Sequence, residues 1–120
     1  MATILLVEDT PANLALATKL LRAAGHEVLT TSTATAGIAV ARDRLPDLVL
    51  MDLGLPDMDG WQALREIRAD KQAAALHVVA FTADAMLGDR ERALAGGFDG
   101  YMSKPIDFAT FAQTVEGYLQ

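Results

Sequence analysis

Leu48-Val49-Leu50-Met51-Asp52-Leu53-Gly54-Leu55-Pro56-Asp57-Met58-Asp59-Gly60 is an apolar run that stops at an acid and passes into a loop of turn-forming residues. An unbroken run this short fits a strand buried on both faces, as in a parallel sheet covered by helices. Two further runs behave the same way. Ile4 to Val7 ends in Glu8-Asp9, and Val78 to Phe81 ends in Thr82-Ala83-Asp84. Glu27 to Thr31 and Phe98 to Met102 are weaker strand candidates.

Helical patterns fill the intervals. Leu14, Ala17, Leu21 and Ala24 share one face, with Thr10 placed to cap, Pro11 in the first turn and Gly25 as the stop. Ala34 to Asp43, Trp61 to Ala69 and Met86 to Ala95 give three more helices. Asp107 to Leu119 gives the last, its apolar stripe made by Phe108, Phe111, Ala112, Val115 and Leu119. Strict alternation of strand and helix implies right-handed crossovers and an α/β fold with a doubly wound, five-stranded parallel sheet. With no repeat, low-complexity segment or linker, one domain over residues 1–120 is expected.

Composition narrows the function classes. A hydrophobic content of 52% supports a core without disulfides or structural metal, and the absence of cysteine excludes thiol chemistry. The N-terminus has no signal-peptide pattern and no apolar run nears the ~20 residues of a membrane span, so a cytoplasmic protein without membrane insertion is expected. A net charge of −6 with scattered basic residues argues against direct nucleic-acid binding.

In doubly wound sheets the functional crevice lies outside the carboxyl ends of the strands. Glu8, Asp9 and Asp52 would meet there if the first and third strands are neighbours. Clustered carboxylates resist ionising together, and a hard divalent cation such as Mg²⁺ resolves the conflict. Each acid alone reads as an ordinary loop or cap residue; the set points to a cation site. A Thr82 hydroxyl could donate to a phosphoryl oxygen, with the small Ala83 leaving access to it, and Lys104 could set an ammonium beside the acids. Read alone, Thr82 fits a bond to nearby backbone equally well and Lys104 fits a solvated surface charge better.

The ordered set of strand ends is where a family emerges. With Glu8-Asp9, Met51-Asp52 through Gly60, Thr82-Ala83 and Tyr101-Met102-Ser103-Lys104-Pro105, the chain resembles the receiver domains of two-component response regulators along essentially its whole length. The stretch Ala85 to Arg92, Gly96-Gly97 and Tyr101 to Pro105 is most similar to receivers of hybrid histidine kinases and to single-domain regulators of the cell-cycle type. The chemotaxis regulator is a more distant relative.

The resemblance implies a flavodoxin-like fold with strand order 2-1-3-4-5. Asp52 would accept a phosphoryl group from a histidine kinase, a histidine phosphotransfer protein or a small donor such as acetyl phosphate. Asp9, Asp52 and the Gly54 backbone carbonyl would hold Mg²⁺, or Mn²⁺ in its place, with Glu8 acting through water. Lys104 and Thr82 would bind phosphoryl oxygens, Lys104-Pro105 would be a cis peptide, and Thr82 with Tyr101 would form the switch. Tyr101 as fixed packing is the competing reading. Gly54 and Asp84 stand where the family tunes hydrolysis. Asn13, Leu14 and Ala17 are docking candidates, although Leu14 and Ala17 fit a core-facing role equally well. The chain is expected to be a regulatory phosphoacceptor rather than an enzyme.

Other classes fit less well. Haloacid dehalogenases carry a second acid two residues after the nucleophile, where this chain has Gly54, and a flavodoxin needs a hydroxyl-rich loop where Glu8-Asp9 stands. A starting Met1 and an end just past the last helix favour a stand-alone regulator over a receiver cut from a hybrid kinase. A phosphorylation-independent binding module is the remaining alternative.

Overall fold

A computed structural model describes residues 2–83 and 89–119. In chain order it contains β1 (Thr3–Val7), α1 (Pro11–Ala23), β2 (Glu27–Thr31), α2 (Ala34–Arg44), β3 (Leu48–Met51), α3 (Gly60–Ala69), β4 (Val78–Thr82), α4 (Asp89–Ala95), β5 (Gly100–Ser103) and α5 (Phe111–Gly117). The five strands are parallel and ordered β2-β1-β3-β4-β5.

Alternation along the strands divides the interior into two cores. Leu5, Val7, Val49, Met51, Val78 and Ala80 face one side, where Ile38, Leu64 and Ala93 bring α2, α3 and α4 against the sheet. Ile4, Leu6, Leu48, Leu50, Val79 and Phe81 face the other, covered by Leu21 of α1 and Phe111 and Val115 of α5. β3 and β4 are buried along their full lengths, which is why their sequences carry no polar alternation.

Several expected boundaries move. β5 begins at Gly100, not Phe98; Phe98 stays buried but packs edge-on against Trp61, with ring centroids 5.3 Å apart. α5 begins at Phe111, because Asp107 starts a separate turn in which its Oδ1 accepts the Ala109 N–H at 2.9 Å. Phe108 is thereby turned out, 71% exposed, and is no part of the apolar stripe. Ala24 falls beyond the end of α1 and is exposed, and Thr10 leaves the helix uncapped by its side chain. Of the helix expected from Met86, residues 89–95 are helical; Met86 to Gly88 lie outside the described residues, as does Asp84.

Candidate functional site

Parallel pairing of β1 with β3 puts Val7 beside Met51, so the residues that follow both strands leave the sheet at the same edge. Glu8, Asp9 and Asp52 meet there, with one carboxylate oxygen from each lying within 4.8 Å of the others. Asp9 is exposed, whereas Asp52 is only 6% exposed and Glu8 is fully buried. Lys104, one residue past β5, reaches across: its Nζ touches Glu8 Oε1 and lies 3.1 Å from Asp52 Oδ2.

Local bonds orient the acids. The Thr10 N–H donates to Glu8 Oε2 at 3.0 Å, and the Gly54 N–H donates to Asp52 Oδ1 at 3.0 Å. Burial pushes the Glu8 carboxyl above its ordinary value, opposed by Lys104 and by the Thr10 N–H. Phe81 was not foreseen as part of the site. The Lys104 ammonium sits 5.1 Å from its ring centroid, a cation–π contact that steadies the lysine over the end of β4.

The remaining candidates occupy adjoining positions. Thr82 is the last residue of β4, is buried, and pairs in register with Ser103; its carbonyl accepts the Lys104 N–H at 2.9 Å. Ala83 follows it at the surface. Tyr101 is half-buried against the α2–α4 core, and its carbonyl accepts from the Tyr118 hydroxyl at 3.2 Å. The Lys104–Pro105 peptide is cis. Ala17 is fully buried, which removes it from any docking surface; Leu14 is half-buried and lines a groove of about 580 Å³ with Pro11, Ala15, Thr18, Lys19 and Arg22.

The acidic groups of the crevice offer oxygen donors, one from each of three carboxylates. That chemistry fits a hard divalent cation, and the residues present are compatible with Mg²⁺ or Mn²⁺.

Comparison with known proteins gives the site its context. The response regulator receiver domain profile matches residues 4–116. The chain belongs to the response regulator receiver family. It is 37% identical to the polar-differentiation response regulator DivK of Brucella ovis, over 98% of this chain and 95% of that protein. The receiver domain of the sensor histidine kinase PA1611 from Pseudomonas aeruginosa PAO1, solved with magnesium in its active-site cleft, is 35% identical with a TM-score of 0.88 and coverage of 98% and 97%. The Mn²⁺-bound response regulator Rcp1 is 26% identical with a TM-score of 0.79, covering 98% of this chain and 91% of that one. Receivers of this family serve two-component signalling and are regulatory rather than classical enzymes. Among the described residues, no helix of this one is long and apolar enough to cross a membrane.

Proposed function

We propose that this receiver accepts a phosphoryl group on Asp52 from a histidine kinase or a histidine phosphotransfer protein and signals or relays it through protein contacts. The observation that carries this is the Lys104 ammonium set against buried Glu8 and Asp52, with Asp9 beside them.

An Asp52 carboxylate oxygen attacks phosphorus as the N–P bond of the donor phosphohistidine breaks, forming an acyl phosphate while the imidazole leaves with a proton. Such transfers demand positioning and charge neutralisation more than covalent chemistry. The Gly54 N–H holds the Asp52 carboxylate in one orientation, and Lys104 is placed to receive the charge of the incoming phosphoryl group. The Thr82 hydroxyl donates to a second phosphoryl oxygen, with Ala83 leaving the approach open. Asp9, Asp52 and the Gly54 carbonyl would hold Mg²⁺ or Mn²⁺, with Glu8 acting through water, and the ion would neutralise phosphoryl charge when bound.

Thr82 drawn toward the phosphoryl group, with Tyr101 turning in behind it, would remodel the surface of α4, β5 and α5 for a partner protein. Gly54, which has no side chain to steer water, and Asp84 would tune the lifetime of the acyl phosphate. Phosphoryl transfer from a histidine kinase would take place in the cytoplasm, the location that goes with this reading. Both a stand-alone regulator, as DivK suggests, and a hybrid-kinase receiver, as PA1611 suggests, would use this chemistry.

Intact mass after incubation with acetyl phosphate tests the proposal. One phosphoryl adduct that is lost with EDTA and absent in Asp52→Asn is expected. No adduct from acetyl phosphate, phosphoramidate or a phosphorylated kinase would leave a phosphorylation-independent binding module.

A further inference from the structure

The loop from β3 to α3 carries Asp52 and Gly54 and is anchored at separated points. Leu55 is buried in the core, the Gly60 N–H donates to the Leu53 carbonyl at 3.1 Å, and Asp59 Oδ1 caps α3 by accepting the Gln62 N–H at 2.8 Å. Asp57, between them, bonds outside its own loop. Its Oδ1 accepts the Ala34 N–H at 2.9 Å, and its Oδ2 accepts the Thr35 N–H at 2.9 Å and the Thr35 hydroxyl at 2.7 Å.

Those partners form the first turn of α2, where backbone N–H groups lack intrahelical acceptors and the helix dipole favours an anion. Thr33, the local cap, takes only the Ala36 N–H, so a carboxylate more than twenty residues away in sequence serves the two preceding donors. The three bonds hold the Asp57 carboxyl well below its ordinary range, at about 2.

We propose that Asp57 is a positioning residue for the cation site: by clamping the β3–α3 loop to the first turn of α2, it fixes the Gly54 backbone next to Asp52. The proposal rests on the metal-assisted reading above. Without the clamp, the residues between Gly54 and Asp59 keep the packing of Leu55 and Met58 on the core but lose their polar tie to α2, and their ordering must be completed when the ion binds. Loss of such outer support costs about ten-fold or more in metal affinity.

The test is a direct Mn²⁺ titration, read from the paramagnetic resonance of free Mn²⁺ without phosphodonor, on wild type, Asp57→Ala, Asp57→Asn and Asp52→Asn. Ionic strength near ~1 M, where the screening length is about 3 Å, separates loop positioning from simple removal of a nearby negative charge. Asp57→Ala is expected to bind Mn²⁺ about ten-fold more weakly, with Asp57→Asn recovering part of the loss through its remaining acceptor oxygen. Near-ultraviolet circular dichroism confirms that each variant is folded; if Asp57→Ala is not, weaker binding by Asp57→Asn decides the matter. Binding as tight as wild type in the folded Asp57 variants overturns the proposal. A wild type that does not bind Mn²⁺, or binds it equally well after Asp52→Asn, overturns the underlying cation-site reading as well.

Discussion

Lys104 Nζ lies 3.1 Å from Asp52 Oδ2 and also contacts Glu8 Oε1, so one ammonium compensates two buried carboxylates from different strands. The lysine side chain is itself only 7% exposed. Three elements, β1, β3 and β5, therefore meet through one charge cluster whose parts are costly when separated.

Removing the cation exposes that cost. Lys104→Gln in metal-free protein at neutral pH is expected to lose about 3 kcal/mol of stability, because buried Glu8 and Asp52 lose the cation that they share. Urea unfolding measures the loss, and added Mg²⁺ should recover part of it by binding only the folded state. Wild-type stability in the variant would show that the pair carries no weight.

Glu8 imposes a pH dependence of defined sign. Burial raises its folded-state value above the ordinary 4.5, so the folded protein retains a proton that the unfolded chain releases. The stability tied to that proton is complete below the unfolded value and is lost as pH rises through the folded one. Metal-free wild type should accordingly lose stability relative to Glu8→Gln as pH climbs from 4.5. Parallel curves in urea unfolding across this range would contradict the assignment.

Asp57 gives the opposite sign. Its carboxyl is held at about 2 against an ordinary 3.8, so its bonds to α2 contribute above the unfolded value and are lost as pH falls through the folded one. The difference in melting temperature between wild type and Asp57→Ala should be constant near neutrality and shrink below pH 3.8. A difference that persists undiminished at the acid limit would show that the bonds do not depend on the ionised carboxylate.

The two phenylalanines before and at the start of α5 should behave unlike each other. Phe108 is 71% exposed, and Phe108→Ser is expected to change stability by no more than about 0.5 kcal/mol. Phe111 is buried against Phe81, and Phe111→Ala should cost about 3 kcal/mol or more. Equal costs in chemical denaturation would mean that Phe108 is buried after all.

The same contrast shows which features the sequence could carry. Ile4–Val7, Leu48–Met51 and Val78–Phe81 were legible because strands buried on both faces need uninterrupted apolar residues. Parallel topology then brings their carboxyl ends together, which is why Glu8, Asp9 and Asp52 could be grouped without coordinates. Phe98 and Phe108 misled for one reason: an apolar residue records neither which element it belongs to nor the turn beside it. Phe98 packs on Trp61 ahead of β5, and Phe108 is carried outward by the Asp107 turn. The Asp57–Thr35 clamp and the Phe81 ring beside Lys104 were illegible because their partners lie far apart in sequence and meet only after folding. The sole sequence sign for Phe81 was its place at the end of an apolar run, immediately before Thr82.

The most direct test of Asp52 as phosphoacceptor is borohydride trapping followed by peptide mass spectrometry. Protein incubated with acetyl phosphate and Mg²⁺ is reduced, converting an aspartyl phosphate to the corresponding alcohol. A modification confined to Asp52, and lost when the divalent ion is withheld, is the expected result. Modification at another residue, or none at Asp52 in protein that carries a phosphoryl adduct, would contradict the account.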